Sequence, residues 1–220
     1  MQTALAPPLV LKVWGPLACF THPEMKVERV TYPVMTPSAA RGVLEAIFWK
    51  PEFTWRVQEV QVLKEIRYFS ILRNEVNSRA SERTAARWQS DGEGGYDAAS
   101  DRAQRHTLAL RDVAYLIKAQ VQVKEGVAED PAKYRDQFRR RATDGRCFAT
   151  PYLGCREFSA AFGFPDGSEK PIDRTEDLGP MLLDIAYDAD DSGRGKPVFF
   201  NARLEKGVLY VPEAFAQGGI

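Results

Sequence analysis

Two histidines occur in the 220-residue chain, His22 and His106. His106 directly follows Arg105 in the stretch QRHTLALRDVAY, residues 104–115. An imidazole changes charge near neutral pH, so it can take or give a proton under working conditions. A guanidinium stays charged, and its fork of donors matches the oxygens of a phosphate. Side by side, the two types suit proton transfer next to a phosphate that gains charge during a reaction. Successive residues of a strand point to opposite faces. The pair therefore converges only if it sits in a turn just before the strand, which the polar sequence upstream permits. Taken without further context, a single histidine at a strand edge is usually a solvated or hydrogen-bonded ring.

Other chemistries have less support. Cys19, Cys147 and Cys155 form an odd, sparse set, which suits free thiols in a reducing cytoplasm. No second Cys or His stands at zinc-ligand spacing from them, so neither a metal nor a cofactor is expected. Asp184, Asp188, Asp190 and Asp191 crowd one acid-rich segment, which raises a metal-dependent DNA nuclease as the lowest-ranked reading. Acidic loops are more often simply solvated.

The formal net charge is zero, yet its distribution is polarised. Residues 133–146 carry six Lys or Arg, and residues 165–191 carry nine Asp or Glu. Binding answers to the local field rather than the total. The basic run could follow a nucleic-acid stem or a neighbouring subunit, though a solvated face is the plainer reading. No long apolar run spans a membrane.

The elements that must position these residues follow from pattern. Residues 9–14 read as a buried strand closed by Gly15-Pro16. Thr36 and Pro37 open a helix as N-cap and N1. Ala40, Val43, Leu44, Ile47 and Phe48 give it one apolar stripe, and Pro51 ends it. Gly42 within it costs roughly 1 kcal/mol against Ala, suggesting that another element or a ligand approaches there. Residues 54–64 alternate with a change of parity after Val57, the mark of a bulge. Residues 66–77 read as a further strand. Residues 78–106 read as a long polar excursion. Val113, Tyr115, Ile117, Ala119, Val121 and Val123 share one face of the clearest strand. Asp130 and Pro131 open a second helix. The remainder is β-rich, with a hairpin signal at Glu205-Lys206-Gly207. The predicted class is α+β, in a split βαβ or ferredoxin-like order.

Several long blocks also resemble a known family. VWGPLACFTHPEMKVERVTYPVMTPSAARGVLEAIFWKP (13–51), ILRNEVNSR (71–79), QRHTLALRDVAYLIKA (104–119), GCREFSAAF and DLGPMLLDI are similar to the fifth CRISPR-associated (Cas) protein in its type I-C form. The resemblance implies a ferredoxin-like (RRM-like) domain over residues 1–145, with the polar insertion at 78–106, and a smaller β-rich C-terminal extension over 146–220. It implies a metal-independent endoribonuclease that recognises the CRISPR repeat hairpin and cuts the precursor RNA on its 3′ side. The enzyme then stays on the 5′ handle within the interference complex, beside other type I-C Cas subunits. A non-catalytic handle-binding scaffold is the alternative, with double-stranded DNA as a further partner.

The family's cleavage site holds a tyrosine in the first helix and a basic residue followed by histidine. Here the pair falls on Arg105 and His106, and the tyrosine position falls on Phe48. Phenylalanine can pack or stack but has no hydroxyl to shuttle a proton. Tyr32 and His22 are the nearest substitutes by motif. Lys26, Arg29, Arg41, Lys50, Arg73 and Arg79 lie in the matching blocks and are expected to contact phosphates. Phe20, Trp49 and Tyr68 are expected to stack on unpaired bases.

Overall fold

The computed structural model describes residues 7–25, 27–78, 81–95, 97–187 and 195–213. Its strands are β1 (Leu9–Ala18), β2 (Arg29–Val30), β3 (Phe53–Val62), β4 (Tyr68–Val76), β5 (Arg102–Val123), β6 (Ala161–Gly163), β7 (Glu176–Tyr187), β8 (Gly195–Glu205) and β9 (Val208–Tyr210). The described helices are α1 (Pro37–Ile47), α2 (Glu82–Asp91) and α3 (Pro131–Thr143). The class is mixed α and β. The strands join one largely antiparallel sheet in the order β6-β1-β5-β3-β9-β8-β7, with β2 and β4 paired to β5.

Local chemistry accounts for the helices that pack. The Thr36 hydroxyl accepts from the Ala39 N–H at 3.3 Å, and Asp130 accepts from the Ala132 N–H at 2.8 Å. Each cap is followed by a proline whose missing N–H costs nothing at that position. Helix α1 buries Pro37, Ala40, Val43, Leu44 and Ile47, whereas α3 buries Tyr134, Phe138 and Ala142. Both cover the sheet face that carries Leu11, Val13, Phe53 and Ile117. Burying such side chains contributes about 1.5–3 kcal/mol each before conformational entropy is counted.

Strand β3 bulges between Val57 and Glu59, so Trp55 and Val57 face the core before the bulge and Val60 and Val62 after it. Lys206 and Gly207 take left-handed backbone (φ 47° and 77°) in the turn from β8 to β9. Here glycine is required, because an added Cβ at position 207 would lie 2.3 Å from the Ile172 carbonyl oxygen.

Strand β5 organises the molecule. Its second half lies between β1 and β3, while its first half pairs with β4 on one edge and β2 on the other. Strand β4 continues past β3 along the same antiparallel partner after a break at residues 63–67. Directly opposite that break, Asp112 has φ 53°. The polar stretch from residue 78 is not one irregular excursion. It contains α2, capped by Ser81 and closed by Gly92 at φ 67°, and then the opening residues of β5.

Candidate functional site

Arg105 and His106 lie inside β5, paired with Arg73 and Leu72 of β4. The expected turn is therefore absent, and strand alternation sends the two side chains to opposite faces of the ribbon. His106 is exposed beside Leu72, which is 52% exposed. Arg105 lies on the other face, where its Nη2 donates to Asn77 Oδ1 at 3.1 Å. The pair thus serves both sides of one ribbon rather than a single point.

The Arg105 face carries an ion network. Arg29 Nη1 meets Glu157 Oε1 at 2.7 Å, and Arg73 Nη2 meets Glu75 Oε1 at 2.9 Å. Arg73 also pairs with Glu157, and Arg29 Nη2 lies 3.7 Å from Glu75. Burial works against the Glu157 carboxylate, yet hydrogen bonds from backbone, Arg73 and Arg29 hold its carboxyl below the ordinary range. Beneath the network, the Cys19 and Cys155 sulfurs lie 3.5 and 3.9 Å from one Thr21 hydroxyl. Arg29 Nη1 also stands 3.5 Å from Cys155 Sγ. The hydrogen bond from Cys19, helped by Arg29, lowers the Cys155 thiol to about 6, and Cys19 is pushed up in return.

Phe48 has different surroundings. It caps the C-terminus of α1 with extended backbone and is 4% exposed. Its ring packs 5.6 Å from that of Phe53, and its carbonyl accepts from Trp55 Nε1–H at 2.9 Å. That is core packing, as the apolar stripe implies. Arg41 grips Asp184 of β7 with both terminal nitrogens, one at 2.8 Å, and reaches Glu45 at 3.4 Å. Burial raises the Glu45 carboxyl; Arg41 opposes this and Asp184 adds to it. Asp184 is thereby engaged within the protein, while Asp188, Asp190 and Asp191 lie outside the described residues. So do Lys26 and Arg79. Lys50 and Trp49 are exposed just beyond α1, Phe20 is buried, and Tyr68 is half exposed.

A second histidine cluster was only partly visible in the sequence. The His22 ring stacks on Tyr32 at 3.6 Å between centroids and 25° between planes. Its Nδ1 lies 3.2 Å from Glu24 Oε1. The buried Tyr32 hydroxyl accepts from the Leu182 N–H at 3.2 Å. Thr21, His22, Pro23, Leu182, Ile185, Gly195 and Pro197 line a mostly apolar pocket of about 260 Å³. The structure brings together the two motif substitutes, His22 and Tyr32, and adds a carboxylate. Gly42, where an approaching group was expected, faces open space, with nothing within 4 Å of an added Cβ.

Among the described residues, no group of three or more His, Cys, Asp or Glu is placed to hold a metal ion. No described helix is long and apolar enough to cross a membrane.

Comparison with known proteins covers nearly the whole chain. The family model described as CRISPR-associated protein (Cas_Cas5), in its Cas5d form, matches residues 8–212. A Thermus thermophilus protein named CRISPR pre-crRNA endoribonuclease Cas5d is 45% identical over 219 residues, covering 93% of this chain and 91% of its own. A protein of the same name from Mannheimia succiniciproducens is 42% identical over 219 residues, covering 94% and 96%. A crystal structure of a CRISPR-associated protein superposes with TM-score 0.68 at 23% identity, covering 100% of this chain and 98% of its own. A functionally uncharacterized protein from Streptococcus mutans, SMU1763c, gives 0.66 at 22% identity, covering 94% and 93%. These two structures bear on the fold alone. With a family match from β1 to just past β9, and relatives aligned nearly end to end, the chain belongs to the CRISPR-associated Cas5 family, on its Cas5d branch.

Proposed function

We propose that the protein is the metal-independent endoribonuclease that cleaves CRISPR precursor RNA at the 3′ side of the repeat hairpin. It then stays bound to the 5′ handle within the type I-C interference complex. The observation that carries this is the 45% identity, over 93% of the chain, to a relative named as a pre-crRNA endoribonuclease. The antiparallel order β6-β1-β5-β3, with α1 between β1 and β3 and α3 between β5 and β6, supports a ferredoxin-like core. On that division, residues 1–145 supply three of the four core strands, and β6, from residues 146–220, completes the core. Strands β7 to β9 then form the smaller extension at the β3 edge.

Metal-free cleavage uses the ribose 2′-hydroxyl next to the scissile phosphate as nucleophile. A base takes its proton, an acid protonates the departing 5′-oxygen, and cations offset charge on the five-coordinate phosphorus. His106 is exposed on the ribbon and supplies the proton transfer, an effect worth about 10²–10⁴-fold. Arg105, on the opposite face, holds a neighbouring stretch of phosphate backbone. Lys50, Arg29 of β2 and Arg73 of the ribbon add phosphate contacts, with Arg41, Lys26 and Arg79 in the same role. Phe48 packs on Phe53, opposite Val123 at the far end of β5 from His106, and contributes no proton.

The His22–Glu24 pair over Tyr32 favours a second assignment of the proton-transfer role. A carboxylate on Nδ1 fixes the tautomer and orients the ring, as in other histidine bases. The deciding experiment incubates repeat RNA with the protein in EDTA, comparing wild type, His106→Ala and His22→Ala, with a 2′-deoxy substrate as control. The proposal expects cleavage without metal, abolished by 2′-deoxy substitution and reduced at least 100-fold in His106→Ala. Loss in His22→Ala alone moves the base to His22. Intact RNA with wild type leaves a non-catalytic handle-binding scaffold.

A further inference from the structure

Phe148 is 88% exposed, the most exposed large apolar side chain among the described residues. Its backbone is nevertheless firmly held. Gly145 turns the chain after α3 with φ 66°, and the Arg146 N–H donates to the Arg141 carbonyl at 2.8 Å. The N–H groups of Phe148 and Ala149 both donate to the Ala46 carbonyl, at 2.8 and 3.1 Å. Arg141 Nε–H donates to the Ile47 carbonyl at 2.9 Å. These bonds satisfy carbonyls that the last turn of α1 would otherwise leave open, and they fix the 146–149 loop to the helix end. Trp49 stands three residues beyond Ala46 at that same end and is 54% exposed.

Cations flank the two rings in sequence. Lys50 follows Trp49, Arg146 precedes Phe148 by two residues, and Arg139 and Arg140 end α3; all four are exposed. Two acids are also near in sequence: Asp144, 3.6 Å from Arg146 Nε, and the half-buried Glu52, two residues after Lys50. Both helices end here, so their carbonyl termini disfavour a phosphate lying directly on the rings. Phosphates belong on the cationic rim, and an uncharged base face belongs on the rings. A protein partner fits less well. A stable interface buries about 800 Å² per side around an apolar centre, whereas these rings are bounded by exposed Thr143, Asp144, Arg146 and Thr150.

Resting on the RNA-processing reading above, we propose that Phe148 and Trp49 form a stacking shelf for unpaired nucleobases flanking the repeat hairpin, rimmed by Lys50, Arg140 and Arg146. The shelf reads the presence of a single-stranded flank rather than the stem. It is sequence-tolerant, because every base offers a π face.

The test uses two RNAs with 2′-deoxy at the cut: the repeat hairpin with its unpaired flanks, and the same hairpin trimmed to the stem. Phe148→Ala removes a ring that is almost wholly in solvent, so thermal melting stays unchanged. The expected result is affinity for the flanked RNA weakened about 5- to 100-fold, with stem-only affinity preserved and Phe148→Trp retaining wild-type binding. Equal affinity of Phe148→Ala and wild type for flanked RNA overturns the shelf, and so does an equal loss on both RNAs. Normal RNA binding with failed assembly onto partner subunits also overturns it in favour of protein docking. Wild type that binds neither RNA removes the RNA-processing reading and the shelf together. Wild-type cleavage of the flanked RNA with its 2′-hydroxyl restored, together with unchanged affinity in Phe148→Ala, removes only the shelf.

Discussion

The two halves of β5 share one backbone and differ in everything else. From Val113 onward the strand is walled by β1 and β3, and Tyr115, Ile117 and Ala119 are buried. Burial alone pushes the Tyr115 phenol well above its ordinary value. From Arg102 to Leu108 the strand runs out with β4, and exposed residues alternate with half-buried ones until Thr107. The inner half holds the fold; its one charged side chain, Lys118, is tied to Glu59 of β3 at 2.7 Å. The outer half has little apolar burial and carries Arg105 and His106. Stability and reactivity are thus separated along a single strand.

That separation can be tested at graded strength. Phe138 is fully buried against Trp55, with ring centroids 4.8 Å apart. Phe138→Ala is expected to cost about 3–5 kcal/mol in urea unfolding, while ribbon substitutions leave the midpoint in place. Next comes the clasp between α1 and β7. Arg41→Ala leaves Asp184 and Glu45 facing each other without their cation, and costs about 1–3 kcal/mol.

Acid sharpens the contrast between the ion network and the core. Glu157, Asp166 and Glu169 have folded carboxyls held below their ordinary values. Their contribution is complete above the ordinary carboxylate range, near about 4, and is lost as pH falls through the lower folded values. Melting temperature should fall steeply below about pH 4, and Glu157→Gln should flatten that fall. Glu45 works in the opposite sense: its raised carboxyl favours the folded state as pH drops through it.

The smallest effects are at the surface. Gly42→Ala is expected to stabilise by about 0.5–1 kcal/mol, since the added methyl meets nothing within 4 Å. Leu72→Ala on the ribbon should change stability by no more than about 0.5 kcal/mol. A core-sized loss there would end the division between halves.

The inner half was legible in the sequence because one-sided burial writes a period of two into Val113, Tyr115 and Ile117. Thr36-Pro37 and Asp130-Pro131 were legible as helix starts because an N-cap is local chemistry. The parity change after Val57 gave the bulge for the same reason. Helix α2 was not seen because it buries no residue, so it has no stripe; only Ser81 and Gly92 marked its ends. The outer half of β5 was missed for a related reason, since a strand wetted on one face and sealed by ions on the other looks merely polar. The Cys19–Cys155 contact and the stacking of His22 on Tyr32 depend on tertiary approach. No spacing encodes the first, which joins residues 136 apart. The second joins groups the motifs had named singly.

Asp112 sets the direction of the ribbon. It occupies the left-handed region opposite the gap between β3 and β4, with Lys64 paired to its carboxylate. One torsion angle therefore acts as an elbow between the core and the arm that carries His106. A β-branched residue at 112 would be driven out of that region. It would re-aim the imidazole without touching a single group that meets RNA.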